Sequence, residues 1–260
     1  MSPKHKKHRR GTVLLYSVLF VLLCGCGGNN QVPTVLSAPF RPFLALQVCL
    51  DDTASYPPEY TQAAQKAIAE RIDALTQPNT GGMDVFVTVI AASSFQNGFA
   101  FHVPAISALP VKLVPGSDPY GYAKAMSAYK KALPAALNQL HAIQAQVKVH
   151  TDMLRNLRLS VRAGGTDIPG CLDDAAQHFS HVAGNKVLLI VSDLQSNVNT
   201  QFTNNLSIYG AMVRVYWRVC EVESACQQND NYWRKLLLHF GASSVGFYDP
   251  AESQAENINF

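Results

Sequence analysis

Short continuous apolar runs alternate along this chain with longer stretches in which apolar residues recur every three or four positions. The run from Phe43 to Ser55, with Pro42 before it and Pro57-Pro58 after, predicts a strand buried on both faces, the kind that lies in a parallel sheet under helices. Glu59 to Thr76 places Ala63, Ala67, Ile68, Ile72 and Leu75 near one helical face, and Pro78 to Gly82 ends it. Asp84 to Ala91 is the next strand, and Phe99 to Ile106, rich in aromatic and β-branched residues, predicts an antiparallel strand at the sheet edge. Val111 to Pro119 reads as a loop. From Tyr120 to about Arg158 the pattern is helical, with Leu133, Leu137, Leu140, Ile143, Val147, Met153, Leu154 and Leu157 in step; Pro134 should kink or split it.

The second half repeats the alternation. Ile168 to Val182 is a helix with Pro169 in its first turn. Lys186 to Asp193 is a second buried strand, Asn197 to Ile208 a polar loop, and Ala211 to Val219 a strand with Arg214 and Arg218 on one side. Asn231 to Phe240 reads as a helix and Ser243 to Tyr248 as the last short strand. This order predicts a doubly wound, mostly parallel α/β sheet with helices on both faces and one antiparallel edge strand.

The first 25 residues stand apart from that pattern. Lys4, Lys6, Lys7, Arg9 and Arg10 precede the apolar stretch Gly11 to Leu23, which is short for a spanning helix and is flanked as an export signal is. Leu23-Cys24-Gly25-Cys26 resembles the bacterial lipobox, which implies cleavage before Cys26 and acylation of that cysteine, including palmitate. An uncleaved anchor and a plain secretory signal are the alternatives; all three place the remainder outside the cytoplasm, the first on a cell membrane. Residues 26–42, with Gly-Gly-Asn-Asn and three prolines, read as a flexible tether. Residues 43–249 then form one domain with a long helical insertion around 120–158, and 250–260 a polar tail.

Removing the leader changes the charge argument. The full chain carries +3, but without its leader it holds 16 basic against 18 acidic residues. No basic patch interleaved with aromatics remains, so nucleic acid is not an expected partner.

Four cysteines remain beyond Cys26: Cys49, Cys171, Cys220 and Cys226. In an exported protein they permit disulfides in three pairings. Cys220 and Cys226 flank a short loop, and a local bridge there is the preferred pairing. Cys49 and Cys171 are left open between a bridge and two small core residues. No pair has the Cys-x-x-Cys spacing of a zinc site.

Chemistry concentrates at strand ends. Asp51, Thr53 and Ser55 put one carboxylate and two hydroxyls at alternate positions on the carboxyl edge of the first strand, where open α/β sheets bind ligands. Oxygen donors suit hard divalent cations; the plainer alternative is that Asp51 and Ser55 turn the chain and cap a helix. Gly164-Gly165-Thr166-Asp167 and the strand end at Asp193 supply a further hydroxyl and a further acid. Asp51-x-Thr53-x-Ser55, then Thr166, then Asp193 resemble the von Willebrand factor type A domain over Phe43 to Tyr248. The resemblance implies a metal-ion-dependent adhesion site for Mg²⁺ or Mn²⁺. In it Thr53, Ser55 and Thr166 would offer hydroxyls, Asp51 and Asp193 would act mostly through water, and one open position would take a partner's carboxylate. Thr53 stands where serine is commoner. Leu194 stands where the family usually has glycine, which puts a side chain near the site.

The reading is therefore a membrane-anchored binding module for a protein or envelope ligand, and not an enzyme. One alternative is a structural subunit of an envelope assembly whose metal site is stabilising or vestigial. The other is a Mg²⁺-dependent phosphotransfer enzyme with Asp51 as nucleophile, which lacks the second aspartate because that position is Thr53. His178 and His181, three apart on one helix, have no third ligand nearby in sequence and read as surface or half-buried histidines.

Overall fold

The computed structural model describes residues 42–94, 98–115, 118–157, 164–196, 202–203, 205–219, 222–249, 258 and 260. The segment expected to be an export signal, Cys26, most of the expected tether and Cys220 lie outside the described residues. The described elements are β1 (Leu44–Asp51), α1 (Pro58–Leu75), β2 (Met83–Ile90), β3 (Gly98–Val103), α2 (Pro119–Arg155), α3 (Ile168–Ser180), β4 (Asn185–Val191), β5 (Met212–Tyr216), α4 (Glu223–His239) and β6 (Ser244–Phe247). The six strands form one sheet in the order β3-β2-β1-β4-β5-β6, parallel throughout except for the antiparallel β3 at one edge. This is the expected doubly wound α/β architecture.

β1 sits in the middle because its sequence can be buried on every side. Its last seven residues are all inaccessible, including Gln47, whose amide donates to Thr88 Oγ1 at 2.9 Å. Side chains alternate between faces along a strand. Leu46, Val48 and Leu50 accordingly join α1 and the second half of α2 in one core layer, while Ala45 and Cys49 join α3 and α4 in the other. α1 buries Ala64, Ala67, Ile68 and Ile72; Ala63, expected on that face, is exposed and its neighbour Ala64 is buried in its place. The apolar residues near the carboxyl end also return to the core: Ile258 is fully buried and Phe260 packs against the α1 layer.

α2 is one helix despite Pro134, which stands on its exposed side. Its second half lies antiparallel to α1. Gln144 Nε2 donates to Thr76 O, Thr151 Oγ1 to Asp73 Oδ1 at 2.8 Å, Arg155 pairs with Asp73, and Gln65 donates to Leu157 O. The insertion therefore covers α1. Its first half runs on past the end of α1, away from the carboxyl edge of the sheet. α4 begins at Glu223, earlier than the predicted Asn231; Glu223 to Asp230 is polar and carries no apolar periodicity to mark it in sequence, and of the helix only Cys226, Trp233 and Leu237 are buried.

His178 is buried rather than surface-exposed, with its ring 3.9 Å from that of Phe86, and burial lowers its pKa to about 4. His181, by contrast, is exposed. Cys49 on β1 and Cys171 on α3 are joined by a disulfide, which settles the pairing left open by the sequence. Cys226 is disulfide-bonded as well.

The bridge between Cys49 and Cys171 closes a loop of 122 residues. Restricting the unfolded chain over so long a loop contributes on the order of 5 kcal/mol in the chain-entropy account. The double variant Cys49→Ala, Cys171→Ala is expected to lower the urea unfolding free energy by about that amount. An unchanged unfolding midpoint would show that the bridge adds nothing to the packed core.

Candidate metal-binding edge

The candidate residues gather where strand order reverses. β1 pairs with β2 on one side and β4 on the other, so the carboxyl ends of β1 and β4 flank the switch point at which open α/β sheets bind ligands. Asp51 closes β1 and is 1% exposed. Its Oδ1 accepts the Thr53 backbone N–H at 2.9 Å, and its Oδ2 accepts the Ser192 hydroxyl at 2.6 Å. Thr53 Oγ1 and Ser55 Oγ lie 3.3 Å apart, so the alternate spacing does bring the two hydroxyls together.

The loop that carries them is fastened at both ends. Thr61 of α1 donates its hydroxyl to Asp51 O at 2.7 Å, and Tyr56 donates from its phenol to Trp217 O at 2.8 Å, beyond the end of β5. Burial, with the charges of Asp51 and Asp193 acting in the same direction, raises the Tyr56 pKa and keeps the phenol neutral as a donor.

Thr166 is fully buried. Asp167 caps α3 by accepting Gly170 N–H at 2.9 Å, and its other oxygen accepts Ser94 N–H at 3.2 Å. Ser94 Oγ donates to Asp167 O, Asp167 N–H to Ala91 O, and Ser196 Oγ to Thr166 O at 3.0 Å. The Thr166 loop is thus held between the segment after β2 and the segment after β4. Asp167 is a positioning residue here and no part of the oxygen cluster.

Asp193, 8% exposed, follows β4 and accepts Gln195 N–H at 2.9 Å. Leu194, expected to put a side chain near the site, turns it inward. It adopts φ +59°, the left-handed conformation that explains why glycine suits this position, yet its side chain is 3% exposed and packs in the α3/α4 core. The turn is clamped from α4: Asn229 Nδ2 donates to Asp193 O at 3.2 Å and Trp233 Nε1 to Leu194 O at 3.0 Å. Ser192, Asn229 and Trp233 went unnoticed in the sequence. Their partners lie 141, 36 and 39 positions away, so no local spacing marks them.

Burial raises the carboxyl pKa of Asp51, with the nearby Asp193 charge adding to it against the hydrogen bonds from Ser192 and Thr53. Burial likewise raises that of Asp193, against the Gln195 N–H. Neither carboxyl has a lysine or arginine among the groups that shift it. Among the described residues no three His, Cys, Asp or Glu side chains converge as a metal cluster, so carboxylate donors alone do not complete a coordination shell. Asp51 and Asp193, near enough for their charges to interact, and the adjacent hydroxyls of Thr53 and Ser55 are all oxygen donors, and the buried Thr166 hydroxyl would add a fifth if it turns to this edge. That set fits Mg²⁺ or Mn²⁺ with water completing the shell, and it lacks the nitrogen and sulfur donors of a zinc site.

No protein-family model matches the sequence, and no curated protein matches it. Solved structures do. A von Willebrand factor type A protein from Catenulispora acidiphila matches with a TM-score of 0.43 and 16% identity, over 84% of this chain and 41% of that one. The human COPII-coat protein Sec24c matches with a TM-score of 0.38 and 11% identity, over 84% of this chain and 30% of that one. The chain spans less than half the length of either structure.

Replacing Leu194 by glycine sets two effects against each other. It relieves a left-handed conformation that costs a residue with a Cβ about 1–2 kcal/mol, and it removes a buried leucine whose truncation costs about 2–5 kcal/mol. The packing loss is the larger, so Leu194→Gly is expected to destabilise the domain by roughly 1–3 kcal/mol in urea unfolding. A stabilised variant would show that strain outweighs packing at this turn.

Proposed function

We propose that this domain is an exported binding module that holds Mg²⁺ or Mn²⁺ at Asp51, Thr53, Ser55, Thr166 and Asp193 and engages a carboxylate of a protein or envelope ligand through it. The observation that carries the reading is the pair Asp51 and Asp193. Two buried acids stand at the carboxyl ends of adjacent central strands, burial raises the pKa of both, and among the described residues no lysine or arginine is a cause of either shift. When bound, a divalent ion supplies positive charge to both acids and a Lewis-acidic position for an incoming anion.

The chain's own residues have separate tasks in that reading. Thr53 and Ser55 present paired hydroxyls, and Ser192 and the Thr53 N–H fix the Asp51 carboxylate. Asn229 and Trp233 fix the Asp193 turn from α4. An edge held this rigidly is suited to capture of a partner group, whose strength grows as water leaves a charged contact. Leu194 packs inward, so it leaves the edge open and gives no support to a vestigial site. A phosphotransfer role finds no second acid at Thr53. The Cys49–Cys171 bridge supports an extracytoplasmic location, since such bonds persist in oxidising compartments. Anchoring through Cys26 rests on the lipobox resemblance; among the described residues no helix is long and apolar enough to cross a membrane.

Calorimetric titration of Mg²⁺ and Mn²⁺ into the protein tests the reading. Saturable binding is expected in the parent and none in Asp51→Ala, Asp193→Ala. Burial raises both carboxyl pKa values and the ion needs both carboxylates, so binding should weaken as pH falls, at a higher pH than for an exposed aspartate. Equal binding in parent and double variant would place any metal elsewhere and remove the proposal.

A further inference from the structure

The first half of α2 has no role at the metal edge. α1 ends at the base of the sheet, the side on which β1, β2 and β4 begin at Leu44, Met83 and Asn185. Since α2 runs antiparallel to α1 and first bonds it near Gln144, the residues before that point continue below the base. Pro119 to Gln139 amounts to about 30 Å of helix, and no side chain in it is buried; the first buried residue of α2 is Leu140. An arm therefore projects from the end of the domain opposite Asp51.

The arm has a distinct surface. Tyr122, Met126, Tyr129, Leu133 and Leu137 follow one another at helical spacing, each half-buried. Beside the start of the helix stand Val111, Val114 and Tyr120, exposed by 55%, 85% and 81%. Lys112, Lys124, Lys130 and Lys131 are all exposed, and none takes part in an ion pair among the described residues. Asp118 is the single acid between Ile106 and Thr151, and its Oδ1 caps the helix by accepting Tyr120 and Gly121 N–H. Charge is thus segregated: Asp51, Asp52 and Asp193 at one end of a domain with an overall acidic excess, and uncompensated lysines at the other.

We infer that this arm lies against an anionic membrane surface, with Val111, Val114, Tyr120 and the apolar stripe of α2 at the headgroup boundary, Lys112 and Lys130 beside them on lipid phosphates, and Lys124 and Lys131 on the opposite, polar face adding attraction to the anionic surface. A basic amphipathic helix with tyrosines and few acids is the composition that binds such interfaces, and this local cluster qualifies the absence of a basic patch read from the whole chain. The geometry agrees. The chain enters β1 at the base, so a tether from Cys26 to Pro42 leaves from the same end as the arm and keeps the base within about 60 Å of a membrane holding Cys26. Lipid docking would orient the acidic edge away from the bilayer, towards an extracellular ligand. The inference rests on the membrane-anchored reading for its setting, and its test is built to fail separately.

The test uses the full chain bearing Cys26→Ala, mixed with vesicles of phosphatidylcholine alone or with phosphatidylglycerol, and reads hydrogen exchange in 119–139. Any insertion of the apolar leader is common to all arms of the experiment. Exchange there should slow at least tenfold on the anionic vesicles only, and the slowing should vanish in high salt. At up to about fivefold in affinity per lysine, the triple glutamine variant should weaken the arm's contact by up to about a hundredfold, and Lys124→Glu, Lys130→Glu, Lys131→Glu should weaken it more. Equal exchange on neutral and anionic vesicles, or an unaffected glutamate variant, overturns the inference. So does slowing that needs no vesicles and grows with protein concentration, which would make a second copy of the chain the occupant. Palmitate labelling of the parent in cells reports on Cys26 alone, so loss of the anchor reading leaves the arm result standing.

Discussion

The hydrogen bond from Ser192 to Asp51 joins the two strands on which the edge is built. It ties the end of β1 to the end of β4 at the point where the sheet changes direction, and it does so with a carboxylate that burial has stripped of water. A buried acid without a partner cation costs several kcal/mol unless hydrogen bonds or protonation relieve it. Much of the local architecture follows from that cost: the Thr53 N–H and the Ser192 hydroxyl both point at Asp51, and Thr61 holds the backbone carbonyl behind it. What they leave over is negative charge at a fixed place, and that is the property a cation would recognise.

Backbone strain is placed accordingly. Leu194 and Trp217 both hold positive φ, and both follow strands at this edge. Each is buried, and each offers its carbonyl to a side chain from another element: Leu194 to Trp233, Trp217 to Tyr56. Packing and hydrogen bonding over-determine these two turns, which is the condition under which non-glycine residues keep such conformations. The rigidity of the loops is therefore a product of the core beneath them, and the Cys49–Cys171 bridge ties the same two layers, β1 and α3.

The sheet was legible because its central strands are continuous apolar runs, which only a layer covered on both faces can accommodate. Asp51 was legible for a related reason, because it ends the buried run, whereas Thr53 and Ser55 lie past the strand and are placed by the turn that the Asp51 carboxylate holds through the Thr53 N–H. Three features were hidden. The start of α4 lies in a polar stretch where Val222 provides no side-chain cap, so neither periodicity nor a capping residue announces it. The direction of α2 depends on Gln144, Thr151 and Arg155 meeting α1, contacts that no helical pattern encodes. The inward course of Leu194 is set by a backbone angle, and a leucine in sequence does not advertise one.

The most direct test of the account is a crystal structure grown with Mn²⁺, read by its anomalous scattering. The account predicts a single strong peak among the hydroxyl oxygens of Thr53, Ser55 and Thr166 and beside the carboxylates of Asp51 and Asp193. A peak elsewhere, or none while calorimetry under the same conditions reports saturation, would contradict the claim that these two strand ends form the site.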